Sequence, residues 1–344
     1  MLTSSESVCI RAKFLLVVGS GLHRQAGIGQ RSALFSWAAL LRKIASKNGL
    51  SLTKSEMGNP TIAWESMVLK LVCIGRSRKT AHQVEQVLRK CACELIKDAQ
   101  GKAIRKGKEN KTYEAVRQLL RGGRGHLLSL NFDQLAYCDS RAGKVGRRWQ
   151  SASGGVAGHS NLRCHDWELL YRRVVFQGER QSRSYVWHPH GCRVLAKSLR
   201  LGFRDYGIMP SCYAEAFGHF KQWEKQCLKV AGMVESEKME VKYQLLLCEL
   251  AKMDARAQDK KLHPADNWVT RFMLLPVRFI GVGLGSEESG LRWLLLQRAR
   301  NLARYHQINR PIVHRISRKA APPFGVKEVY HDTADEAWSL ALRP

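Results

Sequence analysis

The chain is poor in acid. Its 344 residues hold 29 Asp plus Glu against 57 Lys plus Arg, a formal charge of +28. No Asp or Glu stands between Glu6 and Glu56. None of the 10 cysteines forms a C-x-x-C pair. That removes a zinc ribbon and a thioredoxin-type redox motif, and predicts no bound metal. No Gly-Lys-Ser/Thr follows a glycine loop, so a P-loop is excluded. The longest apolar stretch, around residues 14 to 18, is far below the roughly 20 residues that cross a bilayer. The first residues lack the basic, apolar and small-residue layout of a secretory signal. Unpaired cysteines without that layout favour a reducing cytoplasm and no membrane contact.

The cation excess has its own consequence. Much of it lies between Lys97 and Arg204, with Arg105, Lys106, Lys108, Arg117, Arg172, Arg173 and Arg200 among the contributors. Such a field attracts polyanions. It predicts docking of a nucleic acid or an acidic partner protein, or else a solvated basic surface, since no nucleic-acid recognition motif accompanies it.

The most informative stretch is FLLVVGSGLHRQAGI, residues 14 to 28. A β-branched apolar run ends in Gly19-Ser20-Gly21, and a helix-like segment follows. A strand, a glycine turn and a helix N-terminus form a common cradle for a nucleotide pyrophosphate, because first-turn N–H groups point at the phosphates. The dehydrogenase fingerprint is incomplete. Its third glycine is replaced by Arg24, and the acid expected about 20 residues on is missing. A βα turn without a ligand is the plain alternative.

Apolar spacing predicts helices over 33–47, 61–73, 79–98, 112–121, 289–305 and 333–342, with 212–260 mostly helical. Strands are expected at 126–132, 184–188 and 277–283, then in PIVHRI and VKEVY. A polar connector is expected at 106–111, and a Gly-, Ser- and Arg-rich loop at 139–165. Strands alternating with helices predict an α/β chain: a Rossmann-like, doubly wound, mostly parallel sheet. The whole chain, 1–344, reads as one domain with helical insertions at roughly 51–121 and 195–270.

In such sheets ligands sit at the carboxyl ends of the strands. Four candidate strand ends carry chemistry: Gly19-Ser20-Gly21, Asn131-Phe132-Asp133, His188-Pro189-His190-Gly191, and Gly281 to Ser286. Asn131 could hold a ribose hydroxyl or a water, or only bond backbone. Asp133 could orient a ligand amide or cap the next helix. His190 is the candidate base and His188 a structural histidine; His23 could approach a phosphate or face solvent.

The order and types of these segments resemble the sirtuin superfamily, which binds NAD and breaks its nicotinamide–ribose bond. GSGLHRQAGI is similar to the family's glycine motif. The resemblance implies Gly19, Ser20, Gly21 and Ala26 on the NAD-binding side. SLNFD resembles the Asn-x-Asp segment, implying Asn131 and Asp133 at the nicotinamide and ribose end. HPHG resembles the strand end bearing the catalytic histidine, here His190. GVGLGSEESGLRWLL resembles the late turn beside the adenosine, implying Gly283 and Ser286. Protein deacylases of the family continue the first motif with Pro-Asp-Phe-Arg, where this chain has Gly29-Gln30-Arg31-Ser32. They also carry a four-cysteine zinc module that is absent here. The pattern is more similar to bacterial anti-phage sirtuin-like NADases, which carry large helical insertions.

The expectation is an NAD glycohydrolase acting in abortive infection, with NAD as substrate. Its catalytic residues would be His190 and Asn131, and its control would come from homo-oligomerisation or a defence partner. The rivals are an NAD-dependent deacylase or ADP-ribosyltransferase, and a non-catalytic module binding nucleic acid or protein.

Overall fold

The protein is described by a computed structural model over residues 13–73, 80–105, 111–137, 147–150, 170, 173–177, 183–234, 238–256, 263–284, 288–302, 310–315 and 326–342. Its eight strands are β1 (Phe14–Val18), β2 (Gly125–Ser129), β3 (Arg147–Gln150), β4 (Arg173–Gln177), β5 (Arg183–Trp187), β6 (Val277–Ile280), β7 (Ile312–Arg315) and β8 (Lys327–Tyr330). They form one sheet in the order β3-β4-β5-β2-β1-β6-β7-β8. From β5 to β8 all neighbours are parallel. Numbered by chain position, those parallel strands run 3-2-1-4-5-6, the doubly wound order of dinucleotide-binding sheets. The order reverses between β1 and β6, where Leu15 pairs with Val277 and Val18 with Ile280.

β1 reads FLLVV because both of its faces are covered. Phe14, Leu16 and Val18 enter one hydrophobic core, whereas Leu15 and Val17 enter a second. The first core is closed by α2 (Trp37–Lys47), α4 (Pro60–Cys73), α5 (Ala81–Arg105), α6 (Lys111–Arg121) and α11 (Ala334–Leu342). Opposite it pack α7 (Phe203–Val230), α8 (Met239–Arg256), α9 (Trp268–Leu274) and α10 (Ser289–Leu302). The two stretches expected as helical insertions therefore pack on opposite faces of the sheet. Two short helices, α1 (Gly21–Gln25) and α3 (Lys54–Met57), complete the described set. No helix among the described residues is long and apolar enough to cross a membrane.

Several expected bounds move for local reasons. α2 begins at Trp37 rather than Ala33 because the Ser36 hydroxyl accepts the Ala39 amide at 3.1 Å. α7 begins at Phe203, ahead of Pro210, because the Asp205 carboxylate accepts the Leu201 and Gly202 amides at 2.9 and 3.1 Å. The helical stretch expected over 212–260 is two helices, with a break after Ala231 where Gly232 takes φ +66°. β3 lies inside the expected loop at 139–165, and β4 was not foreseen. Both run antiparallel to their neighbours.

The basic belt is less of a surface than its sequence suggests. Arg117, Arg173 and Arg200 are all buried. Arg173 makes two bonds to Asp266, at 2.7 and 2.8 Å, and its guanidinium lies 4.1 Å from the Tyr185 ring centroid. Arg271 contacts the same Asp266 at 2.7 Å and also pairs with Asp254. Lys106, Lys108 and Arg172 fall outside the described residues.

The switch point has a steric requirement. A Cβ on Gly19 would lie 2.5 Å from the Gly281 carbonyl oxygen, and one on Gly21 would lie 2.4 Å from the Gly281 Cα. Gly281 itself has φ +65°, and its own Cβ would meet the Gly21 Cα at 2.7 Å. The exits of β1 and β6 therefore touch backbone to backbone. Gly281→Ala should destabilise the fold by about 2 kcal/mol or more, combining overpacking with left-handed strain. Gly29→Ala, where a Cβ meets nothing within 4 Å, should be near neutral. Urea denaturation of the two variants checks this; equal midpoints would refute the steric account.

Candidate active site

Four strand exits meet at the carboxyl end of the sheet around one cavity of about 580 Å³. It straddles the β1/β6 switch point. Gly19, Ser20, Gly21, Asn131, Asp133, His190 and Gly283 all line it. Seven residues chosen from sequence thus share one wall system, although they span most of the chain. Ala26 does not line it; it packs in the first core with Leu22 and Ile28. Ser286 lies outside the described residues.

The glycine turn departs from the expected phosphate cradle. The helix after it, α1, has only five residues. The amides of Gly19 and Gly21 donate to Ile280 and Gly281 carbonyls at 3.2 and 3.0 Å. Those of Leu22, His23 and Arg24 donate to Gly19 and Ser20 carbonyls at 3.1 to 3.2 Å. These N–H groups are already spent inside the turn, so they do not point at a ligand. The cation available on this wall is Arg24, an exposed side chain that lines the cavity, its guanidinium 4.7 Å from the Phe35 ring centroid.

Asp133 is held from within. His23 Nε2 lies 2.7 Å from Asp133 Oδ2, and the Leu135 amide donates to Oδ1 at 2.8 Å. The other ring nitrogen, Nδ1, lies 2.8 Å from the Tyr113 hydroxyl. Burial alone would raise the Asp133 pKa. The His23 imidazole and the two hydrogen bonds outweigh it and hold the group below its ordinary 3.8. Of the two roles open to His23, contact with solvent is thus excluded: it is buried and bonded at both nitrogens.

Asn131 ties three strand exits together. Its Nδ2 donates to the Gly19 carbonyl at 3.1 Å. Its own carbonyl lies 2.8 Å from His188 Nδ1, and His188 Nε2 lies 2.8 Å from the Tyr137 hydroxyl. A carbonyl only accepts, so His188 carries a hydrogen on Nδ1, and its Nε2 meets the Tyr137 hydroxyl. His188 is thereby a structural link between β2 and β5.

His190 is left for other work. Its Nε2 lies 3.3 Å from Glu288 Oε2, and both residues line the cavity. This is a charge contact without hydrogen-bond geometry, and no described residue bonds Nδ1. The backbone around it is tightly determined. Gly191 takes φ +88°, and a Cβ there would fall 2.0 Å from the Ser198 carbonyl oxygen. The Arg200 amide donates to the His190 carbonyl at 2.9 Å. Arg89 of α5 pairs with Asp205 at 2.8 Å, fixing the following turn. That turn delivers Tyr206, whose ring centroid is 5.6 Å from His190 and 5.0 Å from Trp37. Tyr206 and Trp37 both line the cavity.

Sequence reasoning did not name Glu288, Trp37, Tyr206 or Arg24. For Glu288 a signal existed: it is an acid one turn past a glycine-rich strand exit, in GSEESG. The other three depend on through-space neighbours. Among the described residues no group of three or more His, Cys, Asp or Glu is arranged to hold a metal ion. No protein-family model, curated protein or solved structure matches the chain.

The His23–Asp133 pair sets a test with a definite sign. A carboxyl held below its ordinary value adds stability above about pH 3.8, and that stability is lost as pH falls through the folded value. Asp133→Asn should flatten the acid limb of the stability curve and cost roughly 2 kcal/mol at pH 7. His23→Phe, which strands a buried carboxylate, should cost about 3 kcal/mol or more. Thermal melts from pH 2 to 7 would check both. An acid limb unchanged in Asp133→Asn would show that the pair contributes nothing.

Proposed function

We propose that the cavity takes NAD and that the chain hydrolyses the nicotinamide–ribose bond, releasing nicotinamide and ADP-ribose. One observation carries this reading. His190 and Asn131, from two different strand exits, face one cavity at the switch point, with Glu288 against the imidazole. The location suits a dinucleotide in a sheet of this order. A volume of about 580 Å³ lies in the range of small-molecule and cofactor sites.

Nicotinamide leaves as a neutral molecule from a cationic ring, so its departure needs no general acid. The ribose becomes oxocarbenium-like as the bond breaks. His190 takes the proton that the attacking water loses, through Nδ1. Glu288 stabilises the imidazolium that forms, as the third member does in a hydrolase triad. Asn131 is anchored through Nδ2, leaving its amide oxygen to accept from a ribose hydroxyl or from the water. Arg24 meets the phosphates, the work that the spent turn amides cannot do. The Trp37–Tyr206 pair supplies a flat apolar wall for a ring.

Transfer to an acyl-lysine or protein acceptor would use the same bond-breaking step with another nucleophile. Water is favoured because the sequence lacks the zinc module that helps shape the peptide cleft in the deacylases it resembles. A role in anti-phage defence is supported by that resemblance alone.

The full chain is incubated with NAD, and nicotinamide and ADP-ribose are followed by chromatography. His190→Ala and Asn131→Ala should each lower kcat by about 100-fold or more. Glu288→Gln should lower kcat about tenfold, with little change in KM. Arg24→Ala should instead raise KM about tenfold. Wild-type turnover in His190→Ala would remove the proposed base. NAD binding without turnover by the wild type would favour the non-catalytic reading.

A further inference from the structure

A second cavity, about 350 Å³, lies between α2, α5 and the loop that follows α1. Its floor is aliphatic, formed by Ile28, Leu95, Ala99 and Ala103. Its rim carries Arg31, Lys43 and Lys102 and one carboxylate, Asp98. Arg31 and Lys43 are exposed and make no ion pair with any described residue. Lys102 pairs with Asp98 at 2.9 Å, but both partners are more than half exposed, so that contact is weak and readily exchanged. The rim therefore has two uncompensated positive charges over a hydrocarbon floor. Ala33 lines this groove and the candidate active site alike, so one loop separates them.

We infer that this groove is a binding site for a small amphipathic organic anion, a molecule with an apolar body and one or two negative charges. The floor buries the body and the unpaired cations meet the charge, the pattern of an apolar pocket with a few convergent polar groups. A nucleic-acid strand is a poorer match. Strand binding uses a charged track with aromatic stacking platforms, and no aromatic ring lines this groove. The inference stands apart from the NAD reading, because none of its residues belongs to the proposed catalytic set.

The probe is 1-anilinonaphthalene-8-sulfonate, titrated into the full chain and followed by fluorescence. Its neutral relative N-phenyl-1-naphthylamine serves as control. The sulfonate should saturate one site per chain, about tenfold more tightly than the neutral dye. The double variant Arg31→Gln/Lys43→Gln should lose about tenfold in sulfonate affinity and keep its affinity for the neutral dye. Ala99→Trp, which fills the floor, should block both dyes. Circular dichroism and thermal midpoints establish that the variants are folded; should Ala99→Trp fail to fold, the glutamine pair alone decides. Undiminished sulfonate binding in the glutamine pair would overturn the inference. So would competitive displacement by NAD, which would put the dye in the other cavity. Displacement by oligo-dT but not by a small carboxylate such as octanoate would assign the groove to a polymer and also overturn it.

Discussion

The contact on which this structure turns is between two backbones. At the point where strand order reverses, Gly19 and Gly21 leave β1 against Gly281 leaving β6, at distances that a single methyl group would violate. Two parallel strands normally diverge here and leave a crevice. In this chain the crevice floor is closed by main-chain atoms, and the Gly21 amide bonds directly to the Gly281 carbonyl. The side chains that line the cavity around this floor include Asn131, His190, Arg24, Trp37 and Glu288. A glycine motif that reads as a phosphate cradle has in this fold a packing duty first.

The two faces of the sheet serve the site differently. On the first, α5 reaches across through Arg89 to Asp205 and fixes the turn that brings Tyr206 to His190. On the second, Arg173 and Arg271 share Asp266, and Arg271 also pairs with Asp254, beside the rings of Tyr185 and Trp187. Such buried clusters are weak sources of net stability, yet removing one member leaves an unpaired charge. Their effect here is to fix how α8 and α9 sit against β4 and β5, and so where the His188-Pro189-His190 exit emerges.

Much of this was legible in the sequence, and the reasons for the remainder are physical. FLLVV is a continuous apolar run because both faces are covered, and VRFI is broken only by the half-buried Arg278, so their identity as central strands is written locally. The strand ends that converge carry unusual residue types, and topology alone brings them together. β4 was hidden because its first residue, Arg173, reads as surface charge. Its burial depends on Asp266, which is distant in sequence, and no local pattern encodes that pairing. Arg117 and Arg200, counted in the basic belt, are also inside, although their acidic partners Glu114 and Asp205 lie close by in sequence. Glu288 escaped because an acid beside a serine-rich turn is ordinary until a histidine is seen 3.3 Å away. The short α1 escaped because apolar spacing does not reveal that turn amides are already engaged by a neighbouring strand.

The strand order also sets a timetable. β1 lies at the centre of the sheet, and one of its two edges waits for β6, which is made much later, with Leu15 opposite Val277. Synthesis proceeds from the N-terminus at a finite rate, so that edge has no partner until residues 277–280 have left the ribosome. Pairings of such long sequence separation are slow to form. The cavity inherits the delay, since Gly281, Gly283 and Glu288 arrive with or after β6. Partial chains therefore carry Asn131 and His190 without an assembled pocket around them. Whatever chemistry the finished site performs, it begins only after β6 and the residues that follow it have been made.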